Sequence, residues 1–471
     1  MLKDFLKSDI QLTGRQKTAL SITLLYAAIT FLLCLKHEMW SDELNVWMAI
    51  KHYSFPELVK FSSEAGNPIF FFLPLFPFIK LGASAHFIQF FCWACSVFAV
   101  FLLNFFAPFG TATKLLITFG APMLYHYSVM ARCYSVLPPL MFLTAMLYPC
   151  ACAAETDASR KENSIVSNNA AVILYACCIA AIACTHIITF VFAAGLAALF
   201  VYENLIKNRN RSRYGWAAAV IMAAGLLAVT AQTFYALSAT SFFVRIPVTA
   251  VSVWQACTSY FASMTDGLGD GLFGYNRTGN ILSYLSPAAA FFFALSIVFL
   301  YKYNRFFSAL VIGTFLFYLY ITVTRWGGAA PHRIYIFLIV LISLLWAAKS
   351  KYDTERKIEN CAGREYKLFK AIEYLTALIM LLTVPTGIEI SAEDWKKPFS
   401  SGHDISRFIK SHIPADKNTA IISSSVMIAY YLNDRPVYYE YEKPLSTIPI
   451  RGNAITYNIG DFLNKYNNMG S

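Results

Sequence analysis

Apolar runs with almost no charge recur along this chain with polar connectors between them, and most approach the ~20 residues that cross a ~30 Å hydrocarbon core. They cover 18–35, 85–106, 115–130, 134–151, 170–185, 187–202, 214–234, 285–300, 307–323, 334–348 and 371 to about 390. Eleven crossings follow from this pattern. The composition agrees: 57% of the 471 residues are hydrophobic and only 14% are charged, against roughly 25% in soluble domains. That balance argues against a water-soluble enzyme and excludes a disordered chain. A further run at 69–81 is 13 residues long and carries Pro74 and Pro77. It reads as re-entrant, interfacial or a true crossing paired with another, so the expected range is eleven to thirteen.

The formal charge of +11 would suggest nucleic acid in a soluble protein, but its placement says otherwise. Lys207, Arg209, Arg211 and Arg213 form one basic connector, 349–370 holds seven basic and four acidic residues, and the N-terminus supplies Lys3, Lys7, Arg15 and Lys17. Short basic loops stay cytoplasmic. Placing all three inside puts the N-terminus in and the C-terminus out, which an odd number of crossings satisfies. The expected location is therefore the plasma (inner) membrane, multi-pass, with no nucleic-acid partner. The first run follows positive charge and lacks a small-residue cleavage site, so it reads as an uncleaved anchor. Most of the eleven Cys lie inside apolar runs and none follows Cys361, which suits small hydrophobes better than disulfides.

Three regions face outward on this topology: the loop 36–68, the loop 235–284 and the tail 391–471. The tail has nine basic and eight acidic residues. Helical patterns at 403–412 and 426–432 alternate with strands at 419–422 and 437–439. The expected fold is an all-α polytopic membrane domain over 1–390 with a small extracytoplasmic α/β domain over 391–471. Nothing in the tail looks catalytic.

The first outer loop carries the chemistry. It opens His37-Glu38-Met39-Trp40-Ser41-Asp42-Glu43-Leu44-Asn45-Val46-Trp47. Ser41 suits an N-cap, which puts Asp42 and Glu43 in the first turn of a short interfacial helix with Leu44, Trp47 and Met48 on one apolar face. A second short helix starts at Ser54-Phe55-Pro56-Glu57, with capping-box spacing and Pro in the first turn. A helix N-terminus favours the ionised carboxylate, so Asp42 is available as a proton acceptor near neutral pH. On the local pattern alone, two acids that merely satisfy the helix dipole read equally well.

Trp40-Ser41-Asp42-Glu43 after the first run, then Gly66-Asn67-Pro68-Ile69-Phe70-Phe71, then Ala131-Arg132-Cys133-Tyr134-Ser135 opening a later run, occur in an order that resembles the GT-C class of polyprenyl-phosphate-sugar glycosyltransferases. The resemblance is to the branch holding protein O-mannosyltransferases and the lipid A aminoarabinose transferase, and covers roughly the first 200 residues and the general layout. It implies that Asp42 is the catalytic base and Glu43 its neighbour, orienting it or the acceptor. The family often has His-Pro-Pro-Leu-Tyr where this chain has Asn67-Pro68-Ile69-Phe70-Phe71, so the role of that His has no counterpart here.

The implied reaction takes a sugar from a polyprenyl-phosphate donor to a hydroxyl on a lipid, glycan or protein acceptor. One carboxylate deprotonating the acceptor, which attacks the anomeric carbon from the opposite face, predicts inversion. Arginine can hold the leaving phosphate, so no cofactor is required: the lipid-linked sugar is the cosubstrate, there is no Asp-x-Asp motif, and a divalent metal is permitted but not indicated. Arg132 with Tyr134 is the first candidate for donor binding, against a charge snorkelling to headgroups. Arg325, His332 and Arg333 lie in or beside a second outward connector. Two guanidinium groups there oppose the positive-inside trend, which either phosphate binding or headgroup anchoring explains. His186, between two runs, is a substrate contact or a satisfied interfacial histidine. Aromatic residues of 69–81 are candidates to line a prenyl groove. Asp266-Gly267-Leu268-Gly269-Asp270-Gly271 fails the EF-hand pattern and reads as a gating or plain surface loop, and Asn276-Arg277-Thr278 matches a glycosylation acceptor.

Two other classes fit the same composition. A transporter or flippase for a lipid-linked glycan requires repeated halves and mid-membrane ionisable groups, which are not evident. A non-catalytic scaffold presenting the C-terminal domain would make Asp42 dispensable.

Overall fold

The computed structural model describes residues 13–64, 67–152, 168–207, 212–239, 286–321, 331–359, 363–397, 402–414, 419–420, 430–432, 437–439 and 443–444. Of the expected outer loop 235–284, residues 235–239 are instead the end of a helix, while 240–284, with Asp266 and Asn276, lie outside the described residues, as do Arg325 and most of the tail.

The described chain is mostly helical. In order come α1 (Gly14–Lys36), α2 (Ser41–His52), α3 (Phe55–Glu64), α4 (Phe76–Lys80), α5 (His86–Phe106), α6 (Thr111–Phe119), α7 (Leu137–Ala151), α8 (Asn168–Ala183), α9 (Phe190–Phe200), α10 (Arg213–Ala239), α11 (Ser286–Tyr303), α12 (Arg305–Ile321), α13 (Pro331–Glu359), α14 (Gly363–Lys396) and α15 (Gly402–His412). Seven helical stretches are long and apolar enough to cross a membrane, and three shorter apolar helices accompany them. Ten of the eleven expected runs are thus apolar helices. This is a polytopic membrane protein.

Packing separates the helices into an inner and an outer set. α7 lies against α5, α8 and α13, α1 against α5, α10 against α8, and α14 against α6 and α11. Residues 334–342 of α13 are all buried, whereas Val220, Leu227 and Phe234 of α10 are each at least 65% exposed. Exposed apolar faces of this kind belong against lipid tails, because water would penalise them. Inside the bundle, Thr23, Thr30, Thr144 and Ser343 return their hydroxyls to carbonyls one turn back, and Tyr26 donates to the Met123 carbonyl at 2.7 Å. These buried hydroxyls are therefore satisfied within their own helix or by a neighbouring segment.

The eleventh run, 115–130, is not a continuous helix. α6 stops at Phe119, and the chain continues through a π-type turn at Pro122–His126, irregular backbone, and a 3-10 turn at Cys133–Val136 that opens α7. Pro122 has no N–H to continue the ladder. The break is also enforced from outside by α14. A Cβ on Gly120 would lie 2.5 Å from Met380 Cε, and one on Gly387 would lie 2.9 Å from the Ala121 Cα. The two chains meet at glycine in both directions, leaving no room for a regular helix. Residues 120–139 are buried throughout, the condition under which non-helical backbone is tolerated at membrane depth.

The 69–81 segment does not span. It folds as a 3-10 turn at Ile69–Phe71 and the short α4, with Phe71 and Phe72 packed into the core and Phe78 exposed. Only part of its aromatic surface is therefore free to line a groove. α14 continues to Lys396, beyond the expected end near 390, because the apolar pattern yields to a polar turn that is still helical. Among the described tail residues are α15 and three short strands, β1 (Thr419–Ala420), β2 (Val437–Tyr439) and β3 (Lys443–Pro444). They form one sheet in the order β1-β2-β3, with Thr419 beside Val437 in parallel and Tyr438 beside Pro444 antiparallel. Of the expected helix 426–432, only 430–432 is described.

Candidate functional site

α2 begins one residue earlier than the Ser41 cap implies. Trp40 is the N-cap, Ser41 is the first helical residue, and the Glu43 carboxylate reaches back to accept the Trp40 N–H at 2.9 Å. The side chain at the third helical position closes the cap, so no hydroxyl is needed at the N-cap. Leu44, Trp47 and Met48 are all buried, as are Ala49 and Ile50, so α2 is enclosed by protein rather than lying flat on a membrane surface.

Asp42 and Glu43 are adjacent in sequence and opposite in environment. The Asp42 side chain is 43% exposed and forms an ion pair with Arg132. Glu43 is fully buried. One Glu43 oxygen accepts the Ala131 N–H, and the other accepts Trp40 N–H and lies 3.2 Å from His37 Nε2. The far side of the His37 ring places Nδ1 2.8 Å from Asp394 Oδ2, which also accepts the Tyr125 hydroxyl at 2.8 Å. Burial lowers the His37 pKa, but Glu43 and Asp394 outweigh it and push the group up to about 10. The imidazole is therefore a cation between two buried carboxylates.

Arg132 leads from this layer into a second. Its guanidinium sits 5.5 Å from the centre of the Trp40 ring and 5.6 Å from that of Tyr134. Burial acts to lower its pKa and Asp42 outweighs that, holding it above its ordinary value. Arg333, at the start of α13, donates from Nε to the Tyr134 hydroxyl at 3.3 Å. The His186 ring lies 4.9 Å from the Tyr134 ring, and its Nδ1 accepts the Ile188 N–H at 3.1 Å, capping a 3-10 turn at Ile187–Thr189. Burial first, then Arg333 and Arg132, hold His186 well below its ordinary pKa, so the ring is neutral and its proton sits on Nε2. Asn67 accepts from the Cys133 thiol at 3.3 Å, tying the Asn-Pro segment to the residue after Arg132.

Five of the eight expected site residues, Asp42, Arg132, Tyr134, His186 and Arg333, thus belong to one connected set, with Glu43 holding it from beneath. His332 is in α13 but its side chain is outside the described residues, and Arg325 is outside them altogether. His37, Tyr125 and Asp394 were not anticipated. His37 ends an apolar run, Tyr125 sits in the broken run, and Asp394 is 357 residues away from His37. Only the fold brings them together. The set brings two guanidinium groups to Tyr134 and places one carboxylate beside the first. Among the described residues no group of three or more His, Cys, Asp or Glu side chains is arranged to hold a metal ion.

The fold and site together define a polytopic membrane protein with a charged, aromatic-lined cluster at one end of its helices. No family model matches the chain, and no curated protein matches it. Among solved structures it is similar to the archaeal oligosaccharyltransferase AglB from Archaeoglobus fulgidus, in complex with an inhibitory peptide and a dolichol-phosphate, at 12% identity and a TM-score of 0.41. The match covers 92% of this chain but 61% of that one, so this chain spans less than two thirds of that structure's length.

Proposed function

We propose that this protein transfers a sugar from a polyprenyl-phosphate donor to an extracytoplasmic acceptor hydroxyl, with inversion and with Asp42 as general base. The observation that supports this most is the ion pair of Asp42 with Arg132, which joins the first outer loop to the start of α7. It lies beside Tyr134, His186 and Arg333 at one end of the helices. Lys207, Arg213 and Lys349 lie toward the opposite helix ends, and the positive-inside rule supports an extracytoplasmic side for the cluster. The finer architecture belongs to the same reading: eleven to thirteen crossings in an inner membrane and a soluble α/β unit over 391–471.

In the reaction, the acceptor hydroxyl gives its proton to Asp42 as its oxygen bonds to the anomeric carbon. The bond from that carbon to the phosphate oxygen breaks, and polyprenyl phosphate leaves with the electron pair. Arg132 and Arg333 take up the charge on the leaving phosphate, and Tyr134 keeps the two guanidinium groups in register. The donor phosphate competes with Asp42 for Arg132, so donor binding frees the carboxylate for its role as base. Glu43 has both oxygens engaged and positions the loop.

The test is transfer from a radiolabelled lipid-phosphate sugar in proteoliposomes containing the full chain. Asp42→Asn is expected to lower turnover by roughly 10²–10⁴-fold while leaving the protein folded. Wild-type turnover in that variant would remove Asp42 from the mechanism. Movement of the labelled lipid without any transfer product would replace the enzyme reading with a transport one.

A further inference from the structure

Asp394 sits in the last turns of α14, and its side chain is almost completely buried. From it a run of contacts leads to the ion pair: Asp394 to His37, His37 to Glu43, and Glu43 to the backbone N–H groups of Trp40 and Ala131. Ala131 is covalently next to Arg132, and Glu43 is next to Asp42. Arg132 is therefore one residue from an atom that Glu43 holds, and Asp42 is bonded to Glu43 itself. Trp40, fixed by the same carboxylate, carries its ring over the Arg132 guanidinium.

We propose that Asp394 and His37 are positioning residues for the Asp42–Arg132 pair, so that the end of α14, and through it the C-terminal segment, sets the geometry of the site. Two further contacts tie the first loop to that segment. Glu38 accepts the His403 N–H of α15 at 2.9 Å, and the Trp47 ring packs edge-on against Tyr430. An apolar trio of similar volume would hold α14 against the loop equally well, since a buried ion triad contributes little net stability. What the charged trio adds is direction: each hydrogen bond fixes the orientation of the next group. The proposal rests on the transferase reading for its kinetic arm and on geometry alone for its labelling arm.

The test uses the full chain with Asp394→Asn, Asp394→Ala and His37→Gln. The first arm measures phenylglyoxal modification of Arg132 by peptide mass, referenced to Arg407. The Arg132 side chain is 10% exposed and that of Arg407 is 69% exposed, so the reference reports reagent access alone. Several-fold faster labelling of Arg132 is expected in Asp394→Ala and His37→Gln. Asp394→Asn keeps an acceptor oxygen and is expected to fall between them and wild type. The second arm measures transfer: kcat is expected to fall about ten-fold or more, with partial rescue in Asp394→Asn and donor KM within about two-fold. Wild-type labelling in all folded variants overturns the relay. Faster labelling with unchanged kcat overturns its part in the reaction. If the wild-type protein transfers no sugar, the transferase reading fails while the labelling arm still decides the relay. Should Asp394→Ala not fold, Asp394→Asn and His37→Gln carry both arms.

Discussion

At the scale of single residues, two neighbouring carboxylates do different work because their surroundings differ. Asp42 is half-exposed against one guanidinium, while Glu43 is enclosed by an imidazole and two peptide N–H groups. Arg132 is held by planarity as well as charge, stacked near Trp40 and Tyr134. Lysine keeps the charge and loses the fork and the stacking. Arg132→Lys is therefore expected to raise the donor KM by about ten-fold, measurable in the same proteoliposome assay. His37 gives a pH signature. Its folded-state pKa is raised from an ordinary 6.5 to about 10, so its contribution to stability is complete below 6.5 and fades as pH climbs to about 10. The gap in Tm between wild type and His37→Gln is expected to be widest near pH 6 and to close by pH 10. A gap that stays constant over that range contradicts the assignment. The Asp42–Glu43 pair was legible in the sequence as a motif at a loop entrance. Its supports were not, because nothing in the chain near His37 refers to Asp394 or Tyr125.

At the scale of elements, the apolar helices were readable because hydropathy over ~20 residues is a local property. The break at 120–122 went unread although Gly120 and Pro122 mark it, because hydropathy over 115–130 stays high enough to read as one crossing and the close approach of α14 there is not a local property. Gly387 meets the Ala121 backbone there, which cannot move aside like the tip of a side chain. Gly387→Ala is expected to cost about 1–3 kcal/mol and to lower Tm by several degrees, read by thermal unfolding in detergent. The cap of α2 shows the same limit on a smaller scale. Ser41 has the better capping side chain, but the Glu43 carboxylate closes the turn from inside the helix and moves the start to Trp40.

At the scale of the whole molecule, α14 is fastened by two buried acids, one in its N-terminal third and one near its C-terminal end. Glu373 accepts from the Gly110 N–H at 2.7 Å and pairs with Lys370, and Asp394 holds His37 and Tyr125. The 21 residue steps from Glu373 to Asp394 span about 32 Å of helix, close to the thickness of a hydrocarbon core. Orientation is testable with an impermeant maleimide on intact cells. Ser54→Cys is expected to label from outside, and Arg209→Cys only after the membrane is opened; the reverse pattern would invert the topology. The separation of His37 and Asp394 also has a consequence in time. A ribosome adding roughly 5–20 residues per second releases Asp394 on the order of 20–70 s after His37. Once Arg132 has also been made, the loop bearing Asp42 has its carboxylates and its guanidinium but not its final brace for the rest of that interval. Completion of the site thus coincides with insertion of the last apolar helix, and a chain interrupted before it would reach the membrane without a finished centre.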